Sequence, residues 1–131
     1  MTIDEIIVKY PLLYSNGSGP RCGFNLGDGW LPIVDALSAK IEEVNRGLKM
    51  EEIIVCHQVK EKFGDFTYYI GGCPEGWEKQ VYDWINEARN AAENVCEECG
   101  KPAERKSNVM GWWRTVCDEC KQEMIEERSK K

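Results

Sequence analysis

Two Cys-x-x-Cys pairs constrain the C-terminal third of this chain more than any other feature. Cys96 and Cys99 form the first pair, Cys117 and Cys120 form the second, and seventeen residues separate them. Two residues between thiols allow one tight turn to direct both sulfurs at the same ion, and Zn²⁺ prefers four such ligands in a tetrahedron. The spacing therefore predicts one structural zinc ion held by these four thiolates. Because no coordination position is left for water, we expect no metal-assisted catalysis.

The residues between and after the two pairs predict the shape of this module. Gly100 suits the left-handed turn that such a pair often needs, and residues 110–116 can supply a returning strand. A helix from Asp118 would place Cys120 in its first turn, where the partial positive charge favours a thiolate. This order resembles a treble-clef zinc finger or a zinc ribbon, which differ in whether that helix carries ligands.

Cys22, Cys56 and Cys73 lie outside the two pairs. The hairpin described below would place Cys56 opposite Cys73. One interpretation is a second metal site formed by these three thiols, or one that also uses His57. The alternative is three buried structural thiols beside a hydrogen-bonded core histidine.

Two segments upstream carry helix signals. The capping-box pattern that begins at Thr2 predicts a helix over residues 3–9. A second helix is predicted from Pro32, which suits a first turn, to Gly47, which suits a C-terminal stop. Its apolar stripe is Ile33, Leu37, Ile41, Val44 and Leu48, whereas Glu42, Glu43 and Asn45 fall off that stripe.

A β-hairpin and a long helix are predicted to follow. Residues 53–70 alternate as two strands joined by a turn at Gly64-Asp65. This turn pairs Phe63 with Phe66 across the hairpin. Residues 75–95 carry an amphipathic helical pattern that runs directly into the first cysteine pair.

These elements together predict an α+β fold in two parts. Residues 1–95 would form a domain of helices with one hairpin, and residues 96–131 would form the zinc module with a terminal helix. We expect the metal to supply much of the folding free energy of the module, because so short a segment has little core of its own.

The charge of the chain bears on its partners. The formal net charge is −6, and four thiolates with one Zn²⁺ would make it −8, because the thiolates add −4 and the ion adds +2. Residues 96–120 contain five acidic side chains and only four basic ones, which are Lys101, Arg105, Lys106 and Arg114. Nucleic-acid binding through the zinc module is therefore a third-ranked hypothesis. The chain shows neither a signal-peptide core nor an apolar run long enough to cross a membrane, and we expect a cytoplasmic protein.

The first-ranked hypothesis is a binding module that inhibits or redirects another protein. Trp112 and Trp113 lie between the two cysteine pairs, and large aromatic side chains dominate interface hot spots. These two residues would be the anchors if they are exposed, but they could equally fill the small core around the metal. An enzyme is the least supported class, because the sequence has no Gly-x-Ser-x-Gly, no His-Glu-x-x-His and no histidine pair.

The second-ranked hypothesis is a nucleotide or small-signal-molecule binder. Two glycine-rich stretches could bring backbone amides close to a phosphate. The candidate ligand-binding residues are Arg21, Asp28, Trp30, Lys60, Lys62 and Tyr69. The stretches lack a Walker ending and a dinucleotide fingerprint, and ordinary surface turns explain them more simply.

The order of several short motifs resembles a group of small uncharacterised bacteriophage and prophage proteins. The motifs are Lys-Tyr-Pro-Leu-Leu-Tyr at 9–14, Gly-Asp-Gly-Trp at 27–30, Gln-Val-Lys-Glu-Lys-Phe-Gly at 58–64, and the final double Cys-x-x-Cys. The resemblance implies a phage origin and a cytoplasmic location in a bacterial host. It also implies that the target is a host protein, for which a defence protein is one candidate. The chain departs from this group at Cys120, where relatives can carry histidine.

Overall fold

The computed structural model describes residues 1–14 and 22–129. Its N-terminal part contains a three-stranded sheet. Its strands are β1 (Gly23–Asn25), β2 (Cys56–Lys62) and β3 (Asp65–Ile70), in the order β1-β2-β3. β1 runs parallel to β2, and β2 runs antiparallel to β3. The fold is α+β, as the sequence predicts.

Within the described residues, four α-helices accompany this sheet: α1 (Ile3–Lys9), α2 (Pro11–Tyr14), α3 (Leu31–Arg46) and α4 (Glu78–Ala92). α3 packs against α2 and α4, while α4 also packs on β3. The predicted capping box is confirmed, because the Glu5 amide donates a 3.1 Å hydrogen bond to Thr2 Oγ1. The largest buried apolar side chains are Trp30, Phe66, Ile6, Leu13, Leu31, Ile41, Ile54, Val34, Val59 and Val81.

The predicted pairing of the hairpin is wrong, because the turn lies one residue earlier in the chain than the predicted Gly64-Asp65. The turn is formed by Phe63 and Gly64, whose φ angles of 53° and 85° are both positive. Two such residues make the turn type whose twist matches that of a hairpin. Glu61 therefore pairs with Phe66, and Asp65 belongs to β3. Phe63 is exposed in the turn instead of facing the core.

Two further predictions about this region need correction. A register shift between Cys56 and Gln58 leaves His57 exposed, so it is not a core histidine. The long helix begins at Glu78 rather than at residue 75, because Gly76 has a φ of 96°, which no right-handed helix accommodates. It also ends at Ala92, before the first cysteine pair.

The C-terminal module contains a second, two-stranded sheet and a helix. β4 (Ser107–Val109) and β5 (Trp112–Arg114) pair antiparallel, and α5 (Asp118–Ser129) follows. Buried apolar residues form two clusters, one drawn from the N-terminal part and one from residues 96–125. The division into domains at residue 95 stays a prediction.

Candidate metal centre

The four cysteines of the two pairs form one compact cluster. Their sulfur atoms all lie within 4.8 Å of one another, and Cys99 Sγ is 3.6 Å from Cys117 Sγ. Zinc–sulfur bonds of about 2.3 Å in a tetrahedron place the sulfurs about 3.8 Å apart. The cluster therefore fits a single tetrahedral metal ion, and the sequence prediction that these four residues come together is confirmed.

A tight turn brings the first two sulfurs together. We call residues 96–101 the knuckle. The amide of Cys96 donates to the carbonyl of Lys101 at 2.7 Å, and that of Gly100 donates to the carbonyl of Cys96 at 2.9 Å. Gly100 has a φ of 82°, the left-handed conformation that a side chain would oppose.

The helix α5 supplies the other pair. Cys117 precedes its first residue, Asp118, and Cys120 lies in its first turn. The amide of Cys120 points at Cys117 Sγ from 3.5 Å. One of the four cysteines therefore lies on a helix that follows the knuckle and the hairpin, the feature by which the two predicted module types differ.

The ionisation of the thiols is uneven. Burial opposes ionisation of Cys96, but the backbone amides of Cys117, Cys99 and Glu98 outweigh it and lower the pKa of this thiol to about 7. Burial and the surrounding sulfurs raise the pKa of Cys120. A divalent cation bound at the centre would favour the ionised form of all four thiols at once, including that of Cys120.

The knuckle rests on the Gly-Asp-Gly-Trp segment, residues 27–30, which we call the knuckle seat. The Gly29 amide donates to the Glu97 carbonyl at 2.6 Å. The Gly27 amide donates to Glu97 Oε2 at 2.9 Å, and Trp30 Nε1 donates to the Val95 carbonyl at 2.8 Å. The two glycine amides that could have bound a phosphate are therefore already occupied by the knuckle.

The tip of the β2–β3 hairpin contacts the module from another direction. Thr115 Oγ1 donates to the Gly64 carbonyl at 2.7 Å, and Lys106 Nζ lies 3.1 Å from Asp65 Oδ2. The carboxylate of Glu61 accepts the Gly64 amide at 2.7 Å and so fixes the turn itself. The knuckle and the hairpin tip thus connect the metal cluster to the N-terminal core at two places.

Arg114 lies among three carboxylates. Its guanidinium is 3.2 Å from Glu97, 3.1 Å from Glu98 and 3.9 Å from Glu61. Burial raises the pKa of Glu97, an effect that the Gly27 amide and Arg114 oppose. Arg114 therefore compensates a buried acid at the junction between the knuckle and the hairpin tip.

The two tryptophans of the module are exposed. Trp112 retains 61% and Trp113 retains 50% of its accessible surface. They are consecutive on β5, so they point to opposite faces of the two-stranded sheet. Trp112 borders a groove of about 430 Å³ between β5 and α5, whose other lining residues are Val109, Arg114, Met124, Glu127 and Arg128.

The predicted nucleotide-binding residues have mixed positions. Trp30 is fully buried, so its ring cannot stack on a base, whereas Asp28 is an exposed residue of the knuckle seat. Arg21 lies outside the described residues. On the hairpin, Lys60 Nζ is 5.8 Å from the centre of the Tyr69 ring. Lys62 and Tyr69 border a pocket of about 490 Å³ between the β2–β3 hairpin and α4.

The remaining cysteines form no second metal cluster within residues 1–14 and 22–129. Cys56 pairs with Ile70 across the hairpin, so the predicted approach to Cys73 is wrong. Its sulfur lies instead 3.4 Å from that of Cys22.

The four basic residues within positions 96–120 are engaged in ion pairs. Lys101 pairs with Glu119 at 3.2 Å and Arg105 with Glu93 at 3.6 Å, in addition to the contacts of Lys106 and Arg114 described above. These carboxylates neutralise the positive charge that a phosphate backbone would need.

Comparisons with protein-family models, with curated proteins and with solved structures found no match. A search of the described helices found none with the length and apolar composition of a membrane span.

The knuckle seat, Glu97 and Arg114 are parts of this site that the sequence patterns did not predict. The signal that was present is the Gly-x-Gly-Trp spacing. Glycines at alternate positions also allow two backbones to approach closely, which is their role here.

Proposed function

We propose that this protein is a zinc-stabilised protein-binding module that uses the tryptophan hairpin, residues 107–114, as its binding surface. The observation that carries the proposal is the exposure of Trp112 and Trp113 on the two faces of one short hairpin, with Trp112 at the edge of the groove. Folding usually buries such large side chains, and their exposure on one short element is typical of an interface.

Zinc is the ion that best fits the donor set. Four thiolates are soft ligands, and a tetrahedral set of four sulfurs is characteristic of zinc or of iron–sulfur chemistry. The knuckle, hairpin and helix arrangement favours zinc. With four protein ligands the ion has a structural role, which is to hold the hairpin and α5 in a fixed relation.

The acidic side chains of α5 and the net charge of the chain favour a partner with a basic face, although Arg114 and Arg128 also line the groove. α5 presents Glu123, Glu126 and Glu127 to solvent, and the chain as a whole carries a net charge of −6. The apolar floor of the groove is formed by Val109 and Met124. A partner that inserts an apolar side chain there and places lysine or arginine near α5 would match both features.

We further propose that the partner is a protein of a bacterial host, in keeping with the resemblance to phage proteins. This part rests on the resemblance alone. Nucleic-acid binding has less support, because the four basic residues within positions 96–120 are engaged with carboxylates.

The test compares matched tryptophan and tyrosine variants. A partner captured from host lysate is identified by mass spectrometry, purified, and titrated with the wild type, with W112A/W113A and with Y82A, an exposed aromatic on α4. We expect the double variant to raise the dissociation constant by about 30-fold or more, and Y82A to leave it unchanged. Equal affinities of all three proteins would refute the proposed surface.

A further inference from the structure

Cys22 and Cys56 are held side by side by the sheet. Cys22 directly precedes β1, Cys56 begins β2, and the parallel pairing of these strands starts at Gly23 and Gln58. The two Sγ atoms are 3.4 Å apart. Cys56 is offset by one residue from the position opposite Cys22, and a strand spacing of about 4.8 Å combined with a rise of about 3.3 Å still gives a Cα separation that a disulfide spans. Forming a bond of about 2.05 Å requires the sulfurs to approach by about 1.4 Å.

The two thiols differ in access and in ionisation. Cys22 is 7% exposed and borders a cleft of about 460 Å³ beside the start of α1, whereas Cys56 is 1% exposed behind it. The hydrogen bond with Cys56 lowers the pKa of the Cys22 thiol. Burial raises the pKa of Cys56. Cys22 is therefore the sulfur that meets a reagent from solvent, and Cys56 is the protonated sulfur next to it.

We propose that Cys22 and Cys56 form a redox-active dithiol site that low-molecular-weight disulfides oxidise to an intramolecular disulfide. The Cys22 thiolate attacks one sulfur of the small disulfide, whose S–S bond breaks and releases the first thiolate. Cys56 then attacks Cys22 Sγ in the mixed disulfide and displaces the second small thiolate, which takes the Cys56 proton. Two protein thiols are oxidised to one disulfide, and one small disulfide is reduced to two thiols.

The product would link the start of β1 to the start of β2. These strands are joined in sequence by α3 and its flanking segments, so the bond closes a long loop through the core. Cross-links of long loops reduce the conformational entropy of the unfolded chain. The oxidised protein is therefore expected to resist denaturant better than the reduced one.

Peptide mapping tests this proposal, because trypsin separates the three cysteines outside the metal cluster. Cleavage after lysine and arginine places Cys22 in residues 22–40, Cys56 in residues 50–60 and Cys73 in residues 63–79. The zinc-loaded full-length protein is incubated with oxidised glutathione, alkylated and digested without reductant. We expect peptide 22–40 joined to peptide 50–60, with the mass of the two less two hydrogen atoms.

Variants and competing products decide the outcome. C73S should keep the cross-link, whereas C22S and C56S should abolish it. The proposal is overturned if wild type gives glutathione on Cys22 without a cross-link, a link to peptide 63–79, or unmodified Cys22 and Cys56. Zinc content measured on the same samples establishes that the metal cluster stayed intact.

Discussion

The amide of Gly29 donates a 2.6 Å hydrogen bond to the carbonyl of Glu97, the residue that follows Cys96 of the four-cysteine cluster. The contact joins the N-terminal core to the knuckle through backbone atoms alone. A Cβ atom at Gly29 would collide with the Cys96 carbonyl oxygen and would lie 2.5 Å from the Gly100 nitrogen. The position of the knuckle therefore depends on the absence of a side chain at residue 29.

Replacement of Gly29 by alanine should detach the knuckle from its seat. Contacts this short with backbone atoms cannot be relieved by a side-chain rotation, and we expect the free energy of unfolding to fall by about 2–3 kcal/mol. The measurement is denaturant unfolding of the zinc-loaded protein. Gly72→Ala is the matched control, because a Cβ there meets nothing within 4 Å. Equal losses in the two variants would contradict the close approach.

Replacement of Cys99 by serine should release the metal and unfold the module. The remaining three thiolates leave the tetrahedron incomplete, and binding of a structural zinc ion is coupled to folding. We expect bound zinc to fall from one ion per chain to near zero, with a loss of helical circular dichroism from α5. Elemental analysis under reducing conditions measures the first effect. The control Cys73→Ser, which lies outside the cluster, should keep one zinc ion. One zinc ion per chain in Cys99→Ser would contradict the assignment of Cys99 as a ligand.

Glu42 should be essential for stability although it carries a charge. Its side chain is 2% exposed, and its carboxylate accepts hydrogen bonds from the amides of Leu12 at 3.1 Å and Leu13 at 2.9 Å. Alanine at this position leaves those amides without their acceptor, which we expect to cost about 3 kcal/mol. The control is Glu43→Ala, whose exposed pair with Arg46 should matter by less than about 1 kcal/mol. Thermal and denaturant melts that rank the two variants equally would show this interpretation to be wrong.

Local signals explain what the sequence could predict. The spacing of Cys96, Cys99, Cys117 and Cys120 fixes a ligand set because zinc geometry admits few alternatives. The capping box at Thr2 likewise acts within one helical turn. These predictions required no knowledge of what packs against the segment.

Long-range contacts explain what the sequence could not predict. Glu42 and Asn45 fall off the apolar stripe of α3, yet both are buried because other backbone segments pack there and need their polar groups. Asn45 both donates to and accepts from the backbone of Ile54, at 2.9 and 2.8 Å. The amides of Gly27 and Gly29 suit a phosphate or a carbonyl equally well, and only the folded position of Glu97 decides between them.

Arg114 provides the last test, because it joins the knuckle to the hairpin tip by charge. Its guanidinium lies within 4 Å of Glu61, Glu97 and Glu98, and the Glu97 side chain is almost fully buried. Glutamine at residue 114 should leave that acid uncompensated and lower the free energy of unfolding by about 2 kcal/mol, less than a fully buried pair because Arg114 is partly exposed. Arg105→Gln, which breaks only an exposed pair, should change it by less than about 1 kcal/mol.

The double variant R114Q/E97Q separates charge from packing in this prediction. If the loss in R114Q comes from the uncompensated carboxylate, neutralising Glu97 in the same chain should restore part of the stability, because the amide of glutamine is cheaper to bury than a carboxylate. Its carbonyl can still accept the Gly27 amide, so the knuckle seat keeps that hydrogen bond. A double-mutant cycle by denaturant unfolding measures the coupling. Strict additivity would mean that Arg114 acts through its aliphatic stem, and that its charge contributes nothing to holding the metal module in place.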